Sequence, residues 1–222
     1  MEIIQKALNK GRNTLSEYES KQILSAYHIP VVNEILTENI EDLLIAARKI
    51  GYPLVLKGCS PEIAHKTEKG LIRMDIRDDE EAKAAFDDIY SRMNGSGNAV
   101  LVQEMVKGKR ELVAGMTRDA QFGPCVMFGL GGIFTEILKD ISFRLAPLEK
   151  RDAMEMMREI KGSKILESVR GMEAVDLDLM AQLLINTGQI GLENERISEI
   201  DINPVIISGS KPVAVDALIV LA

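Results

Sequence analysis

Apolar and polar positions along this chain follow two periods. Thr14-Leu-Ser-Glu17 has the spacing of a capping box. The helix it opens places Leu15, Tyr18, Ile23 and Tyr27 near one face, and Pro30 ends it. Val31 to Leu36 reads as a strand. Thr37 stands where a cap belongs for a helix through Leu43, Leu44 and Ala47, closed by Gly51. Pro53-Leu-Val-Leu-Lys57 is a short apolar strand, and Gly58 to Glu68 a polar loop. Leu71 to Ile76 alternates in the manner of a half-exposed strand. Asp78 and Asp79 open a helix to about Met93, and Asn94-Gly-Ser-Gly-Asn98 is a turn cluster.

Beyond that cluster, strands recur at hairpin spacing: Ala99 to Val106, Glu111 to Met116 and Cys125 to Phe128, the last interrupted by Gly129-Leu-Gly131-Gly132. Helices follow near Glu149 to Ile160 and from about Asp176 to Leu192. Strands Ile197 to Ile207 and Val213 to Leu221, joined by Ser208-Gly-Ser-Lys211, close the chain. The pattern predicts an α+β fold of two lobes, 1–95 and 96–222, with largely antiparallel sheets rather than one doubly wound parallel sheet.

Composition narrows the function. The 222 residues are 46% hydrophobic and 27% charged, which is ordinary for a globular chain. The formal net charge is −7, so nucleic acid is not expected as a partner, and an anionic ligand needs a local site. Tryptophan is absent and aromatics are 4%, so stacking platforms for single strands are missing. Cys59 and Cys125 have neither metal-ligand nor disulfide spacing. No apolar run approaches the roughly 20 residues of a membrane helix, and the charged N-terminus has no signal-peptide core, which predicts a cytoplasmic protein without membrane contact.

Five groups of residues are candidates for chemistry. Lys57 ends an apolar strand and could hold a phosphate in a cleft between lobes, or be a solvated strand-end lysine. Glu104-Met-Val106-Lys-Gly-Lys-Arg-Glu111 ends one strand where backbone can meet an adenine edge, and returns a carboxylate that can accept both ribose hydroxyls; the same spacing fits a charged hairpin. Glu199, Asp201 and Asn203 alternate on one strand and so share a face. A hairpin through Ser208 to Lys211 would bring Asp216 opposite Asn203. Hard oxygen donors on neighbouring strands suit Mg²⁺, and an Asp within an apolar run is costly unless paired or metal-bound. His65, in Ser60-Pro-Glu-Ile-Ala-His65-Lys-Thr-Glu-Lys-Gly70, could act as nucleophile or base, although a loop histidine is more often merely solvated. Gly131 and Gly132 with Arg144 are suited to cradling an anion, on weaker grounds. Arg118 reads as a hairpin-end salt bridge, and His28 as a favourable charge at a helix end.

In this order the residues resemble an ATP-grasp nucleotide-binding fold. Ser60 to Gly70, Gly115-Met-Thr-Arg-Asp-Ala-Gln-Phe-Gly-Pro124, Phe128-Gly-Leu-Gly-Gly-Ile133 and Glu199-Ile-Asp-Ile-Asn-Pro204 resemble the β subunit of ADP-forming acyl-CoA synthetase, over about Leu15 to Leu221. The resemblance implies a ligase subunit in acyl-CoA + ADP + phosphate = carboxylate + CoA + ATP, with nucleotide between the lobes. It implies a CoA-binding α subunit as partner, in an α2β2 heterotetramer, because the chain has no room for the CoA-binding domains. His65 matches the transiently phosphorylated histidine. Lys57 would hold nucleotide phosphates, Glu104 and Val106 would bound the adenine, and Glu111 the ribose. Asn203 and Asp216 match Mg²⁺ positions, Asp201 ligates metal or orients the phosphohistidine, and Arg144 with Gly131 and Gly132 meets the transferred phosphate. The sequence departs from the family pattern at Gly70-Leu71, where a second glycine is expected. Two rivals remain: another ATP-grasp carboxylate ligase, which needs no phosphohistidine, and a nucleotide-sensing module, which needs no nucleophile.

Overall fold

The structure, a computed structural model, describes residues 1–60, 70–93, 98–132, 140–169 and 171–222. Its contacts divide the chain into two units, residues 16–18 with 32–106 and residues 1–15, 19–31 and 107–222.

The smaller unit is a four-stranded antiparallel sheet in the order β1-β4-β2-β3, formed by β1 (Glu34–Thr37), β2 (Leu54–Cys59), β3 (Ile72–Ile76) and β4 (Ala99–Glu104). Helices α3 (Ile40–Ile50) and α4 (Asp79–Arg92) bury Leu43, Ala47, Phe86 and Ile89 against Leu54, Leu56, Val100 and Val102. Asn39, not Thr37, caps α3, accepting the Asp42 N–H at 2.9 Å. Thr37 is still in strand, where its hydroxyl donates to the Val100 carbonyl at 2.9 Å. Asp78 caps α4 through Glu80 and Glu81, as the sequence indicates.

The larger unit holds a six-stranded antiparallel sheet, order β10-β8-β5-β6-β7 with β9 also on β8. Its strands are β5 (Glu111–Asp119), β6 (Gly123–Leu130), β7 (Ile141–Leu145), β8 (Ile197–Ser208), β9 (Lys211–Ala214) and β10 (Leu218–Leu221). Helices α5 (Lys150–Glu159) and α6 (Leu177–Glu193) cover one face, burying Met156, Met157, Leu183 and Leu184 over Leu112, Ala114, Val126, Phe128 and Ile200. The alternation of β5 to β8 therefore turns Thr117, Phe143, Glu199 and Asn203 to the opposite face, left uncovered by the helices of this unit among the described residues.

The units differ from a division at 95/96. Strand β4 lies beyond that point, yet pairs with β1 and β2. Helices α1 (Glu2–Asn9) and α2 (Glu17–Ala26) bury Ile4, Ala7, Ile23 and Leu24 in the core of the larger unit. Thr14 bridges to Val220, and α2 begins at Glu17. Arg118 makes no hairpin-end salt bridge; its guanidinium donates to the carbonyls of Gly191, Asn194 and Ile197 at the end of α6. Arg110, 3% exposed, likewise donates to four carbonyls, of Ile165, Glu167, Glu173 and Gly209.

Candidate functional site

Strand β8 is the centre of the site. Buried Ile200 and Ile202 anchor one side, so Glu199, Asp201 and Asn203 project from the other, as their spacing predicts. The last apolar run does not form one strand. It breaks between β9 and β10, and Asp216 stands in the break. There the Asn203 N–H donates to the Asp216 carbonyl at 3.3 Å, and Val215 N–H to the Pro204 carbonyl at 3.0 Å. The fold thus places Asp216 against Asn203. One Asp216 carboxylate oxygen accepts the Ala217 N–H at 2.8 Å.

Three carboxylates share this neighbourhood. Burial first, then the charges of Glu199 and Asp216, push the Asp201 carboxyl up from an ordinary 3.8 to about 6. On the neighbouring strand, Gly115 lies opposite Asp201; a Cβ there would fall 2.6 Å from the Ile200 carbonyl oxygen. A groove of about 210 Å³ runs from Glu199 and Asp201 along the same face, between Thr117, Met127, Ile141 and Phe143. Among the described residues no three of His, Cys, Asp and Glu cluster as a self-sufficient metal site.

The remaining candidates fall elsewhere. The Glu111 carbonyl accepts the Gly131 N–H at 2.8 Å, and a Cβ on Gly132 would lie 3.0 Å from a Glu111 carboxylate oxygen. The structure therefore joins Glu111 to Gly131 and Gly132. A carboxylate beside that turn disfavours phosphate, and the Gly131 N–H is already used. Arg144 does not complete it. It lies opposite Val126 in the β6–β7 ladder, five residues from Gly131, or about 16 Å at 3.3 Å per residue. Its side chain points to the helix-covered side, where it pairs with Glu159.

Lys57 is not a solvated strand-end residue. It is 5% exposed within β2, and its ammonium donates to Glu17, itself 4% exposed, at 2.8 Å. Glu104 donates its N–H to the Asn33 carbonyl at 3.0 Å, and its carboxylate accepts the Asn33 N–H at 3.1 Å, which closes the entry to β1. Val106 is half-buried just past β4. His65 lies outside the described residues. The sequence reading missed Glu17 and Lys21, both buried on α2. An i, i+4 Glu–Lys pair on a helix ordinarily reads as a solvated surface pair.

The family model described as ATP-grasp domain matches residues 6–221. The β subunit of acetate–CoA ligase (ADP-forming) I of Pyrococcus furiosus is 45% identical over 225 residues, covering 99% of this chain and 97% of that subunit. The acetate–CoA ligase (ADP-forming) I of Archaeoglobus fulgidus is 40% identical over 225 residues, but there the chain spans only 33% of a longer protein. Acetyl-coenzyme A synthetase 1 of Candidatus Korarchaeum cryptofilum has been solved with coenzyme A and Mg-AMPPCP, its phosphohistidine segment pointing towards the nucleotide binding site. That chain is 43% identical, with a TM-score of 0.88 and coverage of 100% of this chain and 99% of that one.

Sheet order, uncovered carboxylate strand and family match together define an α+β fold of the ATP-grasp class. Within that class the chain belongs to the family of ADP-forming acetate–CoA ligase β subunits.

Proposed function

We propose that this chain is the nucleotide-binding β subunit of an ADP-forming acyl-CoA synthetase and passes a phosphoryl group between His65 and ADP. The observation that carries the reading is Asp201 and Asn203 on one face of β8 with Asp216, in the β9–β10 break, hydrogen-bonded to Asn203 through the backbone. The overall reaction is acyl-CoA + ADP + phosphate = carboxylate + CoA + ATP. In the step on this subunit, a terminal ADP oxygen attacks phosphorus, the N–P bond to His65 breaks, and the imidazole nitrogen keeps the electron pair. Catalysis is mainly positioning and charge neutralisation.

The donor set fits Mg²⁺. Asn203 and Asp216 offer hard oxygen atoms, and Asp201, whose carboxyl is raised first by burial and then by the charges of Glu199 and Asp216, adds a third oxygen donor whose ionised form a divalent cation would favour. Mg²⁺ held by so few protein oxygens would retain water and phosphate ligands. Bound Mg²⁺ supplies charge neutralisation at the phosphate oxygens.

Asp201 orients the phosphohistidine by accepting its free ring N–H. Glu111, held by Gly131, takes the ribose hydroxyls. Glu104 and Val106 bound the adenine, and Lys57, fixed by Glu17, meets the nucleotide phosphates. The partner in this reading is a CoA-binding α subunit, in an α2β2 assembly; that the Pyrococcus furiosus relative is named a subunit β supports a partner subunit.

The test is phosphorylation from γ-labelled ATP with Mg²⁺, with and without the α subunit. Acid-labile, base-stable label is expected on this chain and absent from His65→Ala. Nucleotide binding without label, even with the α subunit present, would overturn the reading in favour of a sensor or a ligase without phosphohistidine.

A further inference from the structure

The connector 215–217, which carries Asp216, is held on two sides. On one side lies β8, through the Asn203 and Pro204 hydrogen bonds described above. On the other lies the N-terminal segment of the same unit. Ala214 N–H donates to the Pro30 carbonyl at 2.8 Å, and Leu15 N–H to the Ile219 carbonyl at 3.0 Å. Ser20 Oγ accepts the Ile219 N–H at 3.2 Å. Between these anchors, Lys21 Nζ donates to the Val215 carbonyl at 3.1 Å, one residue before Asp216. Lys21 is 1% exposed and is among the largest fully buried side chains.

A buried ammonium is costly to desolvate, and packing alone would be better served by Leu or Met. The helix nevertheless keeps it, next to the one break in the terminal strand. A charge-assisted bond is roughly twice as strong as a neutral one, so it can fix a connector that lacks a regular ladder.

We infer that Lys21 is a positioning residue for the metal–nucleotide site: its buried ammonium holds the 215–217 connector and thereby sets the Asp216 carboxylate against Asn203. The inference rests on the assignment of Asn203 and Asp216 as metal donors. In this inference Lys21 acts through the Val215 carbonyl and not as a metal or nucleotide ligand. Lys21→Met keeps the hydrocarbon stem and removes only the donor, and Lys21→Arg keeps the charge.

The experiment is calorimetric titration of the full chain with Mg-AMPPCP, and with AMPPCP in EDTA, using Lys21→Met, Lys21→Arg, Asp216→Asn and the Lys21→Met/Asp216→Asn double variant. Removing a group that orients a metal ligand typically costs 10- to 100-fold in metal affinity. Lys21→Met is therefore expected to weaken Mg-AMPPCP by about 10-fold or more, with metal-free affinity unchanged. Lys21→Arg should restore most of the loss, and the double variant should bind no worse than Asp216→Asn.

Equal losses with and without metal, or additive losses in the double variant, would overturn the inference and leave Lys21 a general stabiliser. If Asp216→Asn loses the metal-dependent affinity and a folded Lys21→Met does not, the inference alone fails. If Asp216→Asn keeps that affinity, the metal assignment fails and the inference with it. Thermal melting identifies variants that do not fold. Should Lys21→Met be one of them, Lys21→Gln against Lys21→Arg decides by the same metal-dependent comparison.

Discussion

Replacing Asp201 by Asn should stabilise the metal-free protein at neutral pH. In the folded chain this carboxyl is raised from 3.8 to about 6, first by burial, then by Glu199 and Asp216. Below pH 3.8 the folded and unfolded states are both protonated and Asp201 contributes nothing. As pH rises, the unfolded chain ionises first while the folded chain keeps its proton to about 6, so the unfolded state binds fewer protons and stability falls. The loss levels off above pH 6. At 1.36 kcal/mol per pH unit, a rise from 3.8 to about 6 corresponds to about 3 kcal/mol. The side chain is only half-buried, and solvent screening lowers the expected gain to about 1–3 kcal/mol. The assay is urea unfolding of wild type and Asp201→Asn in EDTA, from pH 4 to 8. Asp201→Asn should be the more stable above pH 6 and converge with wild type near pH 4. Equal stabilities at pH 7.5, or a difference of the same size at pH 4, would refute the electrostatic account. Under the proposed function the same variant loses phosphoryl transfer, so stability and activity should move in opposite directions.

Two further outcomes follow from side chains that the fold commits elsewhere. Glu17→Gln removes the carboxylate that meets Lys57 at 2.8 Å, and urea unfolding should show a loss of about 3 kcal/mol, as when one partner of a buried pair is removed; a loss below about 1 kcal/mol would contradict the buried-pair reading. Arg144→Ala should leave nucleotide affinity unchanged in a binding titration, because the guanidinium pairs with Glu159 on the helix-covered side. Its stability cost should stay below about 1 kcal/mol, and a tenfold loss of nucleotide affinity would restore Arg144 to the site.

What the sequence made legible was what its local pattern encodes. Alternation of Ile200 and Ile202 with Glu199, Asp201 and Asn203 gave the face of β8, and hairpin spacing gave the antiparallel sheet. Asp216 was flagged as a polar residue in an apolar run, but not as the point where the strand breaks. That break is imposed by pairings 199 and 204 residues away in sequence, Ser20 to Ile219 and Leu15 to Ile219 among them, counted from the first and last partners. No local signal carries such pairings. The arginines show the same limit: Arg110 and Arg118 read as charged hairpin residues, yet each is consumed by carbonyls from remote segments.

Helix α2 shows why the remaining part of the site was hidden. Amphipathic reading assumes that a helix buries its apolar stripe and exposes its charges. Here Ile23 and Leu24 are buried, but so are Glu17, Ser20 and Lys21. The polar side of the helix is spent on Lys57, on the Ile219 N–H and on the Val215 carbonyl. Of these partners, Lys57 is itself a phosphate candidate and Val215 adjoins Asp216, a metal candidate. Charges that look solvated in one dimension thus become buried supports in three. Such supports are found by asking what a buried charge touches rather than what its neighbours in sequence are.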